Sequence, residues 1–305
     1  MRSSTFVLCL LTATVPACGG GATAPTAPPP PPTARPTPPM EATLGVGGKG
    51  GVHTASLDDL VDRARSTQGR GTPDSPLVRL NLTGTATTDA DLAALAGLPD
   101  LIELGLNETS VTDAGMRAVS TLEHLQGLGL RETKVSEAGV AKLGGLADLR
   151  SLNLANLDVG DGVAGTLSRL QQLEELNLGF TKVTDGVFLG LARLPRLTHL
   201  ILIGAPVTAQ GIDVLAGTSV HTLDLTRTKV TDAQVAQVAT LRELRSLFLV
   251  RTAVTDAAVD ALLTLEKLEQ LDVAESGISE EGLTRLREGL PNADVFPKPP
   301  TAPEP

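Results

Sequence analysis

The chain of 305 residues has no tryptophan and no tyrosine, and only five phenylalanines. Aromatic rings fill irregular space in ordinary cores. A chain of this length without them points to one small aliphatic packing unit used many times, so internal repeats are the first pattern to seek. Positive charge is also in short supply. Lys and Arg total 25 against 35 Asp and Glu, a formal net charge of −10. That balance repels phosphate backbones and argues against general nucleic-acid binding. No run of apolar residues reaches the length of a membrane-spanning helix.

Catalytic signatures are missing as well. There is no nucleophile–His–Asp pattern, zinc spacing or dinucleotide fingerprint, so the chain is expected not to be an enzyme and to carry no cofactor and no metal. The four histidines are His53, His124, His199 and His221. His199 and His221 fall in neighbouring strands at different repeat positions, without a clustered acidic partner, and read as surface residues. Asp224 and Asp272 share one face but have the Phe248 strand between them, too sparse an oxygen set for calcium. The segment Gly45-Val46-Gly47-Gly48-Lys49-Gly50-Gly51 looks superficially like a phosphate loop. It lacks the preceding strand and the Lys-Ser/Thr pair opening a helix, and reads as linker.

What the chain does have begins with Arg2, a mostly apolar stretch from Phe6 to Val15, and Val15-Pro16-Ala17-Cys18 followed by glycines. A charged start, a short apolar run and small residues before a cleavage point describe a secretory signal. The segment resembles a bacterial lipoprotein signal. Val15 and Ala17 fit that family's pattern, while Pro16 departs from it. The resemblance implies cleavage after residue 17 and lipid attached to Cys18, with the mature chain anchored in the bacterial cell envelope, at the outer membrane rather than the inner. Cleavage would remove Cys9 and leave Cys18 as the single cysteine, which excludes a disulfide scaffold.

Residues 18–55 read as a tether. Pro25 to Pro39 holds nine prolines in fifteen residues, a composition that favours extended polyproline conformation. At about 3.1 Å per residue, residues 19–55 could reach on the order of 100 Å. Residues 56–76 read as a capping helix and linker, with Ser56 as cap, Asp58 and Asp59 in the first turn, and Leu57, Leu60, Val61 and Ala64 on one face. Residues 297–305, with five prolines, are expected to be a disordered tail.

Between them, residues 77–296 repeat. Aligned at Leu77, Leu101, Leu125, Leu149, Leu173, Leu197, Val220, Leu244 and Leu268, the chain advances by 24 residues at each step, except for 23 between Leu197 and Val220. Position 4 is leucine in all nine repeats, and position 6 is leucine in eight, with Val273 in the ninth. A spacing of two is strand periodicity, and the apolar positions 16, 19 and 22, such as Leu92, Leu95 and Leu98, mark a helical face. Each repeat therefore reads as strand, turn and helix. Val-Thr-Asp segments at 111–113, 183–185, 230–232 and 254–256 read as helix starts, with Thr capping and Asp at the positive end. Position 9 is Thr85, Thr109, Thr133, Thr181, Thr228, Thr252 or Ser276, hydroxyls placed to satisfy backbone groups as the chain leaves the strand. After Leu283, Leu286 and Leu290, residues 291–296 offer a turn and a final strand, with Phe296 expected to cover the open end of the core.

This pattern resembles leucine-rich repeats, in particular the cysteine-containing subclass with Thr in place of Cys at position 9. The resemblance implies an α/β solenoid, a horseshoe with a parallel β-sheet on its concave side and helices on the convex side, and a role in protein binding. Positions 3, 5, 7 and 8 would face the concave side. In the first four repeats they are mostly small or polar. Later repeats place Phe180, Ile201, Ile203, Phe248 and Val250 there, with Arg227 and Arg251 beside them. These seven form the candidate protein-binding site, because exposed apolar clusters with nearby arginine often mark interfaces. The expected partner is an envelope or extracellular protein bound by a monomeric, membrane-tethered chain. The competing reading is a structural envelope lipoprotein with no discrete partner. A first outcome follows from Cys18: Cys18→Ser should abolish the lipid mass increment and move the protein from the detergent phase to the aqueous phase on phase partitioning.

Overall fold

The structure, a computed structural model, describes residues 79–298. The signal, Cys18, the tether, the capping helix, Leu77 and residues 299–305 of the tail lie outside the described residues. Ten three-residue strands form one parallel sheet in strict chain order. They are β1 (Arg79–Asn81), β2 (Glu103–Gly105), β3 (Gly127–Gly129), β4 (Ser151–Asn153), β5 (Glu175–Asn177), β6 (His199–Ile201), β7 (Thr222–Asp224), β8 (Ser246–Phe248), β9 (Gln270–Asp272) and β10 (Asp294–Phe296). Register is uniform: Leu80 lies opposite Leu104, Leu104 opposite Leu128, and so on to Leu271 opposite Val295. The position-4 and position-6 side chains, alternating with concave-facing ones, stack into one continuous aliphatic core, and nearly all are fully buried.

A strand this short is held from outside itself. The position-6 and position-8 N–H groups donate to the next coil, as in Leu82 to the Gly105 carbonyl at 2.7 Å and Gly84 to the Asn107 carbonyl at 2.9 Å. The chain then turns sharply. The Thr85 N–H closes a turn onto the Leu82 carbonyl at 3.1 Å, and its hydroxyl donates to the same carbonyl at 2.6 Å. Thr109, Thr133, Thr181, Thr228 and Thr252 repeat that hydroxyl contact. The cost of the turn falls on position 8, which is left-handed in every repeat: Gly84, Glu108, Glu132, Asn156, Phe180, Gly204, Arg227, Arg251 and Glu275 all have positive φ.

The convex side carries the expected helical segments, most of them short. Asp91–Gly97 and Ile212–Gly217 are wholly 3₁₀, and five further coils contain a single four-residue α turn, such as Phe188–Leu191. Among the described residues, only Asp232–Val238 and Glu280–Gly289 run longer as α-helix. The physical reason is length. A 3₁₀ segment rises about 2.0 Å per residue against about 1.5 Å for an α-helix, so a short coil can cross back to its next strand with fewer residues.

The recurring Asp also does something other than serve its own helix. Its carboxylate reaches forward to the following coil. Asp89 accepts the Thr112 N–H at 2.8 Å and hydroxyl at 2.6 Å, and Asp113 accepts the Ser136 N–H at 2.7 Å and hydroxyl at 2.6 Å. Asp161 holds Thr184, Asp185 holds Thr208, Asp232 holds Thr255 and Asp256 holds Ser279, while Glu137 takes the Gly160 N–H. The series breaks once. Where the sixth repeat has Ala209, the next coil's Thr231 turns to its own Gln234 in a capping box. The missing residue of the 23-residue repeat is absorbed just before β7, where Thr218-Ser219-Val220 replaces the usual Leu-x-x-Leu. The sheet register from His199 to Thr222 is untouched.

At the C-terminal end the helix face Leu283, Leu286 and Leu290 is buried as expected. Phe296 does not cover the core. Pairing of β10 with β9 puts Val295 opposite Leu271, so Val295 is buried and strand alternation turns Phe296 to the concave side, where Lys298 lies 5.2 Å from its ring centroid.

For Asp113, desolvation by itself would raise the carboxyl pKa. The Ser136 hydroxyl and N–H, with Lys142 nearby, outweigh it and hold the group below the ordinary aspartate range. A carboxyl depressed in the fold stabilises it above the unfolded pKa, and that share disappears as pH falls through the folded value. Asp113→Ala should therefore cost about 1–3 kcal/mol at neutral pH in urea titration, with a smaller difference from the parent in strong acid.

Candidate functional site

The concave face is ruled into rows by the register. Along position 5 the fifth to ninth repeats present Asn177, Ile201, Asp224, Phe248 and Asp272 on successive strands. Along position 7 they present Gly179, Ile203, Thr226, Val250 and Ala274, and along position 8 Phe180, Gly204, Arg227, Arg251 and Glu275. Neighbouring strands lie about 4.8 Å apart, so β7 holds the β6 and β8 apolar pairs apart by about 10 Å. The seven expected residues thus share one face but do not form one unbroken apolar patch. Asp224 and Thr226 run through its middle.

Exposure also divides them. Ile201, Ile203, Phe248 and Val250 are half-buried, whereas Phe180 is 47% exposed. The Phe180 ring does not stand free. It lies against the next coil at Gly204, where an added Cβ would come within 2.7 Å of ring carbons Cδ1 and Cε1. The Phe180 N–H also donates to the Ile203 carbonyl at 2.6 Å. Gly204 has a positive φ of 64°. Its missing side chain makes the seat for the ring.

The two arginines differ. Arg251 is tied to Glu275 through Nε at 2.6 Å, and that hydrogen bond holds the Glu275 carboxyl below its ordinary range. Arg227, exposed on its left-handed residue, forms no ion pair among the described residues. Asp224 lies in too sparse an oxygen set for calcium, and its importance in the structure is different. Its Oδ1 accepts the Thr226 N–H at 2.9 Å. Burial pushes its carboxyl pKa up, Asp272 adds to that, and the Thr226 hydrogen bonds oppose it. The available signal was the register itself, which puts an acid between Ile201 and Phe248.

The same turn explains other residues on this face. Asn81, Asn153, Asn177 and Asp272 each accept the N–H two residues on, at 2.9 to 3.0 Å. Where position 5 is Gly105 or Gly129 this contact is absent, and Asn107 in position 7 accepts the Arg131 N–H of the next coil instead. Among the histidines, His199 pairs through Nδ1 with the Thr198 hydroxyl at 2.9 Å. Burial and then Arg245 push the His221 pKa down, favouring the neutral ring. No group of three or more metal-ligating side chains occurs among the described residues.

Among the solved structures that share this fold are two bacterial proteins. One is the crystal structure of an internalin from Listeria monocytogenes, with a TM-score of 0.53 and 21% identity, covering 71% of this chain and 65% of that one. The other is a leucine-rich-repeat protein of Leptospira interrogans, with a TM-score of 0.52 and 18% identity, covering 71% and 59%. The chain spans less than two thirds of the length of either. No family model matches the sequence, and no curated protein sequence matches it. The fold is an α/β leucine-rich-repeat solenoid.

The ring seat yields a coupling. Gly204→Ala combines a left-handed Cβ, costing about 1–2 kcal/mol, with displacement of the Phe180 ring. In a Phe180→Ala background only the backbone share should remain. A double-mutant cycle by urea unfolding should give a coupling energy of about 0.5–1.5 kcal/mol, and a value near zero would place the ring elsewhere.

Proposed function

We propose that this solenoid is a protein-binding module whose partner sits on the concave face across β6 to β8, and that the chain works from a bacterial cell envelope, held there by lipid on Cys18. The observation that carries the first half is the contrast along the sheet. Asn81, Thr83, Gly105, Asn107, Gly129 and Asn153 offer small or polar groups over β1 to β4. Ile201, Ile203, Phe248 and Val250, with the half-exposed Phe180 ring, concentrate apolar area over β5 to β8. None of the five belongs to the buried core, to which each strand contributes positions 4 and 6. Partly exposed apolar groups beside an arginine suit an interface that buries them when a partner arrives. The envelope location rests on the signal resemblance and the proline-rich tether.

The contrasting reading, a structural envelope lipoprotein without a discrete partner, draws on the same anchor and spacer. The two separate in one comparison. Proteins retained by the immobilised chain from an envelope extract are compared with those retained by Ile201→Glu/Ile203→Glu, after circular dichroism shows that the variant folds. A specific partner should bind the variant about 30-fold more weakly or worse, the change expected for loss of a hot spot. Equal retention, or none by either, favours the structural reading.

A further inference from the structure

Resting on that reading, we propose that the middle of the concave face is a receptor for a cationic side chain of the partner: Asp224 receives the guanidinium or ammonium head, and Ile201 and Phe248 clasp its aliphatic stem.

The argument starts from a charge that the fold does not require. The position-5 side chain completes a small turn by accepting the N–H two residues on. Asn81, Asn153 and Asn177 do this as neutral amides, with the same 2.9 to 3.0 Å geometry that Asp224 has with Thr226. An amide oxygen is therefore enough for the turn. Asp224 nevertheless brings a full charge to a half-buried position between Ile201 and Phe248, which lie directly opposite it on the two neighbouring strands.

That charge is poorly compensated from within. Thr226 supplies its hydrogen bonds, and no Lys, Arg or His forms an ion pair with it among the described residues. The neighbouring arginines leave position 8 of the turns, and Arg251 is occupied by Glu275. A carboxylate with its water partly stripped and no cation of its own gains most from an incoming cation. The flanking walls suit the stem of such a residue, because Lys and Arg bury their methylenes against apolar surface while the head reaches a charge. Asp272, two strands away in the same row, adds negative potential that favours the same ligand sign. The chemistry fits an Arg or Lys of a partner, and it excludes an anionic partner group at this point.

The test uses the full-length chain labelled at isoleucine δ-methyls. The chain has five isoleucines, of which Ile201 lines the site and Ile102 and Ile278 serve as remote references. The probes are n-butylguanidinium, n-butylammonium and the neutral, similarly shaped n-butylurea. The cations should shift the Ile201 methyl in a saturable way, with butylurea far weaker. Asp224→Asn, which keeps the turn as three other coils do, should melt no lower than the parent and bind n-butylguanidinium at least tenfold more weakly. Asp272→Asn should lose much less. The proposal falls if Asp224→Asn titrates like the parent, if butylurea matches the cations, if no probe moves the Ile201 methyl, or if the two Asn variants lose equally, the mark of an acidic surface collecting counter-ions. A partner retained by the parent and by Asp224→Asn alike, yet lost by Ile201→Glu/Ile203→Glu, would sink the cation receptor while leaving the binding module standing.

Discussion

Each coil of this solenoid leaves the polar groups of its strand to be satisfied by the next coil. A three-residue parallel strand has no hairpin partner and no internal bonds, and unpaired buried backbone groups are costly. The inter-coil ladder is therefore the condition on which everything else depends. It requires a constant rise from coil to coil, the same register at every step, and side chains at positions 4 and 6 that fill the same volume each time. The near-invariant leucines and the preserved register across the 23-residue step are two results of that single demand.

The demand reaches beyond the sheet. On the convex side an acidic residue of one coil grips the hydroxyl and N–H of the next, so the coils are linked on both limbs. Ala209 interrupts that series between the sixth and seventh coils, and the fold answers locally: Thr231 takes Gln234, and the Gly211 N–H reaches Gln237 of the following coil at 3.0 Å. The interruption thus changes which groups cross the junction without leaving it open. In solenoids stability is close to a sum of coil and junction terms, so this junction differs in kind from its neighbours while carrying the same ladder.

Function is best sought in what the ladder does not need. The left-handed residue at position 8 must turn the chain, but the turn is indifferent to whether it carries Glu108, Asn156, Phe180 or Arg227. Position 5 must offer an acceptor or do without one, and either Asn or Asp will serve. Departures from the minimal solution are concentrated on β5 to β8: a ring laid on a glycine, apolar pairs where other coils have Asn or Gly, and a carboxylate where an amide would do. The ladder requires none of these departures, and they share one face.

The sequence by itself determined the repeat, its length, the strand positions, the buried leucines and the position-9 hydroxyl contacts, because all of these follow from periodicity, and periodicity is visible in one dimension; the parallel sheet was implied by the resemblance to leucine-rich repeats. It also marked residues 201, 203, 248 and 250 as facing the concave side, by strand alternation. What only the tertiary structure decided lies between coils. The forward reach of Asp89 and Asp113, the Gly204 seat under Phe180, the exchange of Val295 for Phe296 at the core's end and the position of Asp224 between two apolar walls each join residues 23 or 24 apart in sequence. A residue's type shows what it can bond to. Which neighbour stands within reach is set by the register and rise of the coils, and these exist only once the chain has been wound.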